Sequence, residues 1–188
     1  MDKLKNRKVA ILVADGFEQQ EMTEPRKALD NAGAETKIIS PMKGEVQGWK
    51  HFDKADKFTV DVQLENANAA DFDALLLPGG VANPDQLRIE PKAIEFIKAF
   101  FTAQKPVAVI CHGPWTLIEA DVVRGRTITS RPSVKTDLIN AGAKWVDEPV
   151  VVDNGLVSSR KPEDIPAFND KMIEEFAEGK HKGQTASA

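Results

Sequence analysis

The chain has 188 residues, 41% of them hydrophobic, enough for one well-filled core of common domain size. Its 25 basic and 29 acidic residues give a formal net charge of −4 with no long block of either sign, which argues against a nucleic-acid or anionic-membrane surface. No apolar run approaches the roughly 20 residues that cross a bilayer, the basic start "MDKLKNRK" precedes too short a run for a signal peptide, and the single cysteine allows no internal disulfide. A soluble cytoplasmic protein is expected.

In chain order, "VAILVA" (Val9 to Ala14) is apolar on both faces, as a central parallel strand should be, and passes through "DGFEQQE" into the helix "EPRKALDNAG", closed by Gly33. "ETKIIS" predicts a second strand, and "VQGWKHFDKADKFTVDV" an exposed hairpin or edge strands. "FDALLLPGG" is another buried strand, and the following "PGGVANPDQ" reads as a loop. "EPKAIEFIKAFFTAQ" has helical spacing with Pro91 at its first position, then "PVAVICHG" runs as a strand into the helix "PWTLIEAD". "SVKTDLINAG" predicts a helix between Ser133 as N-cap and Gly142 as C-cap. "PVVVDNGLVSS" is a hairpin about Asn154-Gly155, a last helix covers approximately Pro162 to Ala177, and "EGKHKGQTASA" reads as a frayed tail. Strands alternating with helices, with no internal repeat or linker, predict one three-layer α/β sandwich.

In such a sheet ligands bind beyond the carboxyl ends of the strands, which brings "DGFEQQE", "PGGVANPDQ" and "CHGPW" to one edge. Cys111 ends a buried strand at a turn into a helix, where unpaired amides favour thiolate; the bland alternative is a small hydrophobe closing the strand. His112 is a candidate general base, and it reaches Cys111 only if both occupy the non-helical elbow. Gly79 and Gly80 can aim amides at an oxyanion, or simply form a tight turn. Glu18 and Glu21 sit at the start of the first helix, where the dipole favours acids; alternatively one carboxyl reaches the sulfur, stabilising the thiolate if protonated and repelling it if ionised. Arg160 could bind a substrate carboxylate or phosphate, or serve at the surface or as a helix cap. Trp49, His51 and Phe52 suit core or subunit contact better than ligand stacking. His51, His112 and His181 lack metal-ligand spacing, so no metal and no organic cofactor is expected.

The segments "ILVADGFEQQEMTEP", "FDALLLPGG", "KPVAVICHGPWTLIEADVVRGRTITS", "INAGAKWVDEPVVVD" and "LVSSRKPEDIPAFN" resemble, in order, the ThiJ/PfpI family of the class I glutamine amidotransferase-like superfamily. Within it they look most like PfpI-type intracellular proteases and YhbO-type general stress proteins. The resemblance covers approximately residues 7 to 178, leaving 179 to 188 as a flexible tail of a single domain. It implies a flavodoxin-like, mostly parallel sheet with Cys111 as elbow nucleophile, His112 as its adjacent histidine, Glu21 as the carboxyl that contacts it and Glu18 as a second acidic position. It also implies a homo-oligomer, a dimer or larger, in which Asp85 orients His112 of a neighbouring subunit. Where one branch of the superfamily carries a histidine twenty positions after the cysteine, this chain has Arg131.

Two classes of function follow. One is a cysteine-dependent stress enzyme acting on small carbonyl compounds as a glyoxalase or deglycase, or on peptide bonds as a protease. The alternative is a non-catalytic stress protein that senses or scavenges oxidants through Cys111. A glutamine amidotransferase would need His-x-Glu, absent after residue 150.

Overall fold

The computed structural model describes residues 2–184. The first half of the chain forms β1 (Lys8–Leu12), β2 (Phe17–Glu18), α1 (Gln19–Asn31), β3 (Glu35–Ser40), the hairpin β4 (Glu45–Lys50) and β5 (Asp53–Thr59), β6 (Val62–Gln63) and β7 (Ala74–Leu77). There follow α2 (Ala82–Arg88), α3 (Pro91–Thr102), β8 (Val107–Ile110), α4 (Pro114–Glu119) and β9 (Thr127–Ile128). The chain continues through α5 (Lys135–Asn140), β10 (Lys144–Trp145), the hairpin β11 (Val150–Asp153) and β12 (Leu156–Ser159), and α6 (Ile165–Glu178).

Seven strands make one sheet in the order β11-β12-β8-β7-β1-β3-β6, parallel except where β11 turns back on β12. The strands read as unbroken apolar runs because both faces are covered. Val9 and Ile11 of β1, Leu76 of β7 and Ile110 of β8 pack toward Met22 and Leu29 of α1 and Phe168, Met172 and Phe176 of α6. Their neighbours Ala10, Leu12, Leu75, Leu77 and Val109 pack on the other side against Phe96, Phe100 and Phe101 of α3, Leu117 of α4 and Leu138 of α5. The result is a flavodoxin-like α/β/α sandwich. The smaller sheet β2-β4-β5 stands beside the first loop, and β9 and β10 pair separately.

Several local expectations are corrected. The first helix begins at Gln19 rather than near Glu24, with Pro25 inside it, and its C-cap is Ala32, followed by Gly33 at φ 94°. The "PGGVANPDQ" loop contains α2, so Asp85 is a helical residue. Ser133 does not cap α5: it lies in a 3-10 turn, Pro132–Val134, and Val134 occupies the N-cap. The last helix starts at Ile165 after another 3-10 turn. Residues 179–184 of the expected tail are docked, because His181 N–H donates to the Gln104 carbonyl at 2.9 Å and Gln184 Nε2 to the Lys105 carbonyl at 2.7 Å. The remainder of that tail lies outside the described residues.

Candidate active site at the strand-to-helix elbow

Cys111 follows β8 with φ 62°, a left-handed conformation that costs a non-glycine residue of order 1–3 kcal/mol. Two backbone hydrogen bonds hold it there: its N–H donates to the Ser159 carbonyl at 3.0 Å, and its carbonyl accepts from Arg131 N–H at 2.9 Å. Pro114 opens α4 only after His112 and Gly113, so Cys111 and His112 both occupy the non-helical turn. That is why adjacent residues can face each other: Sγ lies 3.2 Å from His112 Nδ1.

The imidazole is held at its far side too, with Nε2 3.1 Å from Ser133 Oγ. Burial lowers the His112 pKa, and the Arg131 cation lowers it further. The ring is therefore neutral near pH 7 and free to accept a proton.

The first loop supplies the carboxyl group. Glu21, in the first turn of α1, is fully buried, and its Oε2 accepts from Gly79 N–H at 2.9 Å. Its Oε1 is buried with no hydrogen-bond partner, and the other polar groups beside the carboxyl are the Cys111 sulfur and the Gly80 amide. Burial pushes Glu21 up to about 8, and the charge of Glu18 adds to that rise. Burial also pushes the Cys111 thiol up, as does any charge on Glu21, while the amides of His112 and Gly80 favour thiolate. The pair consequently holds at most one negative charge in the neutral range. Below its raised pKa Glu21 keeps its proton, and the carboxylic acid can donate to the sulfur whenever the thiol loses its own. The expectation that the elbow alone favours thiolate is corrected accordingly: the elbow's amides work against burial, and thiolate exists only while Glu21 is protonated.

The other candidates separate. Glu18 is buried, but its Oε2 accepts from His51 N–H at 3.0 Å, so it faces the β4-β5 hairpin and acts on Cys111 only through Glu21. Gly79 is not a free oxyanion donor, because its amide is committed to Glu21. Gly80 and His112 remain, their amides beside the sulfur, with that of Gly80 shared between the sulfur and Glu21. Arg160 is not available to a substrate: it makes two hydrogen bonds to Asp164, at 2.8 and 3.1 Å, and one to Asp147 at 2.8 Å. Asp85 is exposed on α2 and does not reach His112 within the chain, where Ser133 occupies Nε2 instead. Phe52, taken as core or contact, is 90% exposed and so is not core.

Two residues escaped the sequence reading. Ser133 looked like a helix cap. Asn83, not singled out within "PGGVANPDQ", is fully buried and locks the glycine turn: Nδ2 donates to the carbonyls of Pro78 and Gly79 at 3.0 and 2.9 Å, and Oδ1 accepts from Ala14 N–H at 2.7 Å. The glycines are required by close approach. A Cβ on Gly80, at φ 77°, would fall 2.6 Å from Glu18 N, and one on Gly79 would strike Glu21 Oε2 and come within 2.7 Å of Cys111 Cβ. Gly79→Ala is accordingly expected to displace the carboxyl from the sulfur, lowering stability by about 1–3 kcal/mol in thermal unfolding and slowing alkylation of Cys111. Unchanged alkylation at pH 7 would show that the Gly79–Glu21 contact does not position the carboxyl.

In this flavodoxin-like sandwich the only cysteine stands at a strained elbow between a buried carboxylic acid and a neutral imidazole. Comparison with known proteins shows the family: the chain belongs to the DJ-1/PfpI family, whose model matches residues 7–175. Among curated relatives it is 46% identical to General stress protein 18 of Bacillus subtilis, over 89% of this chain and 96% of that protein. It is 44% identical to the protein named "Putative cysteine protease YraA" of the same organism, over 89% and 97%. Among solved structures, a two-domain protein of Anabaena variabilis with DJ-1/ThiJ/PfpI-like and ferritin-like domains superposes with a TM-score of 0.86 at 33% identity; the match covers 97% of this chain and half of that one. Drosophila melanogaster DJ-1beta superposes at 0.82 with 26% identity, covering 91% and 90%. No helix among the described residues is long and apolar enough to cross a membrane.

Proposed function

We propose that this is a cytoplasmic stress-response enzyme that uses Cys111 as nucleophile on small reactive carbonyls, converting an α-oxoaldehyde such as methylglyoxal to its hydroxy acid. The observation that carries the reading is the Glu21–Cys111–His112 arrangement, a carboxylic acid and a neutral base on either side of a nearly buried sulfur. Cys111 is only 7% exposed, which suits a two- or three-carbon aldehyde better than a peptide backbone. The stress-protein relative supports the physiological setting; the relative named as a protease keeps peptide hydrolysis, and deglycation with it, as reactions to be assayed beside it.

The chemistry balances without an external oxidant. The thiolate adds to the aldehyde carbon, and Glu21 or a water protonates the resulting oxyanion near the Gly80 and His112 amides. His112 then removes the C–H proton of the former aldehyde carbon and returns it at the ketone carbon, so that one carbon is oxidised as its neighbour is reduced. The lactoyl thioester that results is hydrolysed by water, releasing lactate and the thiol. The test is lactate formation from methylglyoxal by the pure protein, with disappearance of free methylglyoxal followed separately so that scavenging is not counted as turnover. A second reading, redox sensing, is favoured by the absence of any other thiol in the chain: a peroxide-generated sulfenic acid at Cys111 has no internal partner for a disulfide. It becomes the better account if no lactate forms and peroxide converts Cys111 to the sulfinic acid.

The functional unit on this reading is at least a dimer. Asp85 lies on α2 between Val81 and Ile89, which are 55% and 80% exposed, and a second copy covering those side chains would bring a carboxylate to another subunit's histidine. The expected result is complementation: inactive Cys111→Ala and inactive Asp85→Asn, mixed under subunit exchange, regain a fraction of wild-type turnover. An active Asp85→Asn protein, or fully exchanged mixtures that stay inactive, would show that Asp85 plays no part in the site.

A further inference from the structure

At the end of β8 opposite Cys111, three side chains converge that the reaction above does not use. Glu175 and Glu178 lie one turn apart at the carboxyl end of α6, and His181 follows in the docked tail; each offers a ligand atom, and these atoms lie within 4.8 Å of one another. We infer that Glu175, Glu178 and His181 form a binding site for a divalent transition metal, with Zn2+ the fitting class, which clamps the tail to the last helix.

Several observations point to a ligand rather than to a chance acidic cluster. The Glu175 side chain is 10% exposed and accepts no hydrogen bond from a described residue, although its Oε2 is 3.2 Å from His181 Nε2. His181 Nε2 is itself buried and makes no hydrogen bond despite that proximity. With a charged imidazole the two atoms form an ion pair; with a neutral one they meet without a hydrogen bond, and their lone pairs are open to a cation between them. Gln184 is fully buried with Oε1 unbonded, and both its amide and the His181 ring pack against Gly155, so a side chain there would collide with both. The Gln184 carbonyl oxygen thus lies beside the His181 ring.

The setting favours a cation. The carboxyl end of a helix carries partial negative charge, and the last turn of α6 holds no basic residue. Arg7 donates to the Ala177 carbonyl at 3.1 Å but makes no ion pair with Glu175 or Glu178. One imidazole nitrogen and two carboxylate oxygens are borderline donors that suit Zn2+ over Mg2+ or Ca2+, which prefer oxygen alone. Zinc bonds of about 2.0–2.2 Å require the three atoms to draw together, a side-chain adjustment that the exposed Glu178 can make. A search of the sequence for histidine or cysteine spacing misses the site, because its pattern is Glu-x-x-Glu-x-x-His.

The test uses the full chain carrying Cys111→Ala, which removes the one thiol that could bind zinc elsewhere. Calorimetric titration with Zn2+ is expected to show one saturable site in the micromolar range or tighter, absent with Mg2+, and Co2+ should give the visible absorption of a low-coordinate site. Glu178→Gln, at an exposed position that leaves the Glu175–His181 contact in place, should weaken Zn2+ binding by about tenfold or more, and His181→Ala should abolish it. Zn2+ should also slow exchange of the His181 and Gln184 amides. The inference is overturned if no saturable binding occurs, or if Glu178→Gln binds as tightly as its parent, which would reduce the cluster to a histidine–glutamate ion pair.

Discussion

Replacing Cys111 with alanine is expected to lower lactate formation from methylglyoxal by at least about 10³-fold, because every step of the proposed turnover passes through a bond to its sulfur. The fold should survive. Cys111 contributes one atom beyond Cβ to the cluster under α1 and α6, and alanine in the same left-handed conformation bears a similar backbone cost, so thermal stability should change by no more than about 1 kcal/mol. Cys111→Ser tests the same point more narrowly, since it keeps a hydrogen-bonding atom but supplies a far weaker nucleophile. Retained activity in either variant would remove Cys111 from the mechanism. Loss of activity after mild peroxide treatment, in parallel with sulfinic acid formation, would connect the catalytic and redox readings at one atom.

The second large effect concerns Glu21. Glu21→Leu should raise the Cys111 pKa and slow its alkylation by iodoacetamide at pH 7 by about tenfold or more, because the thiolate loses its donor within a buried site. Glu21→Gln keeps an N–H donor and should retain most of that reactivity. Equal losses in both would mean that residue 21 acts through packing, and the ultraviolet absorbance of the thiolate across pH measures the difference directly.

The same carboxyl makes a statement about stability. Its folded pKa of about 8 lies above that of an ordinary glutamate, so the folded state holds a proton that the unfolded chain releases near pH 4.5. Its contribution is fully present below pH 4.5 and declines as pH rises until the folded group also ionises near 8, a loss on the order of 5 kcal/mol. Chemical unfolding between those values should show wild-type stability falling with pH, and Glu21→Gln should flatten the slope. A wild-type profile that rises there with no difference from Glu21→Gln would show that Glu21 ionises normally.

The elements most legible in the sequence were those whose pattern is dictated locally. "VAILVA", "LLL" and "VAVI" could only be strands covered on both faces, Pro91 opened its helix as expected, and Asn154-Gly155, both at positive φ, turned the hairpin between β11 and β12. Less legible were segments whose partners are distant in sequence. Glu18 and Glu21 are both acids at the start of one helix, and only the packing of α1 decides that Glu21 points to Gly79 and Cys111 while Glu18 turns to His51. Ser133 carries every mark of an N-cap, but the turn that places Arg131 N–H on the Cys111 carbonyl also swings Ser133 to the imidazole.

By itself, then, the sequence determined the alternation of strand and helix, the edge of the sheet where the three polar loops meet, and the cysteine–histidine pair in one turn there, because these follow from hydrophobic period, turn residues and a unique thiol. Tertiary structure alone decided which carboxyl faces the sulfur, that Gly79 serves that carboxyl instead of an oxyanion, that Arg160 is closed off by Asp147 and Asp164, and that Glu175, Glu178 and His181 meet where the tail docks. Each of these depends on groups brought together across long stretches of chain, and on burial, which sets where a proton resides and cannot be assigned to a side chain until its neighbours are known.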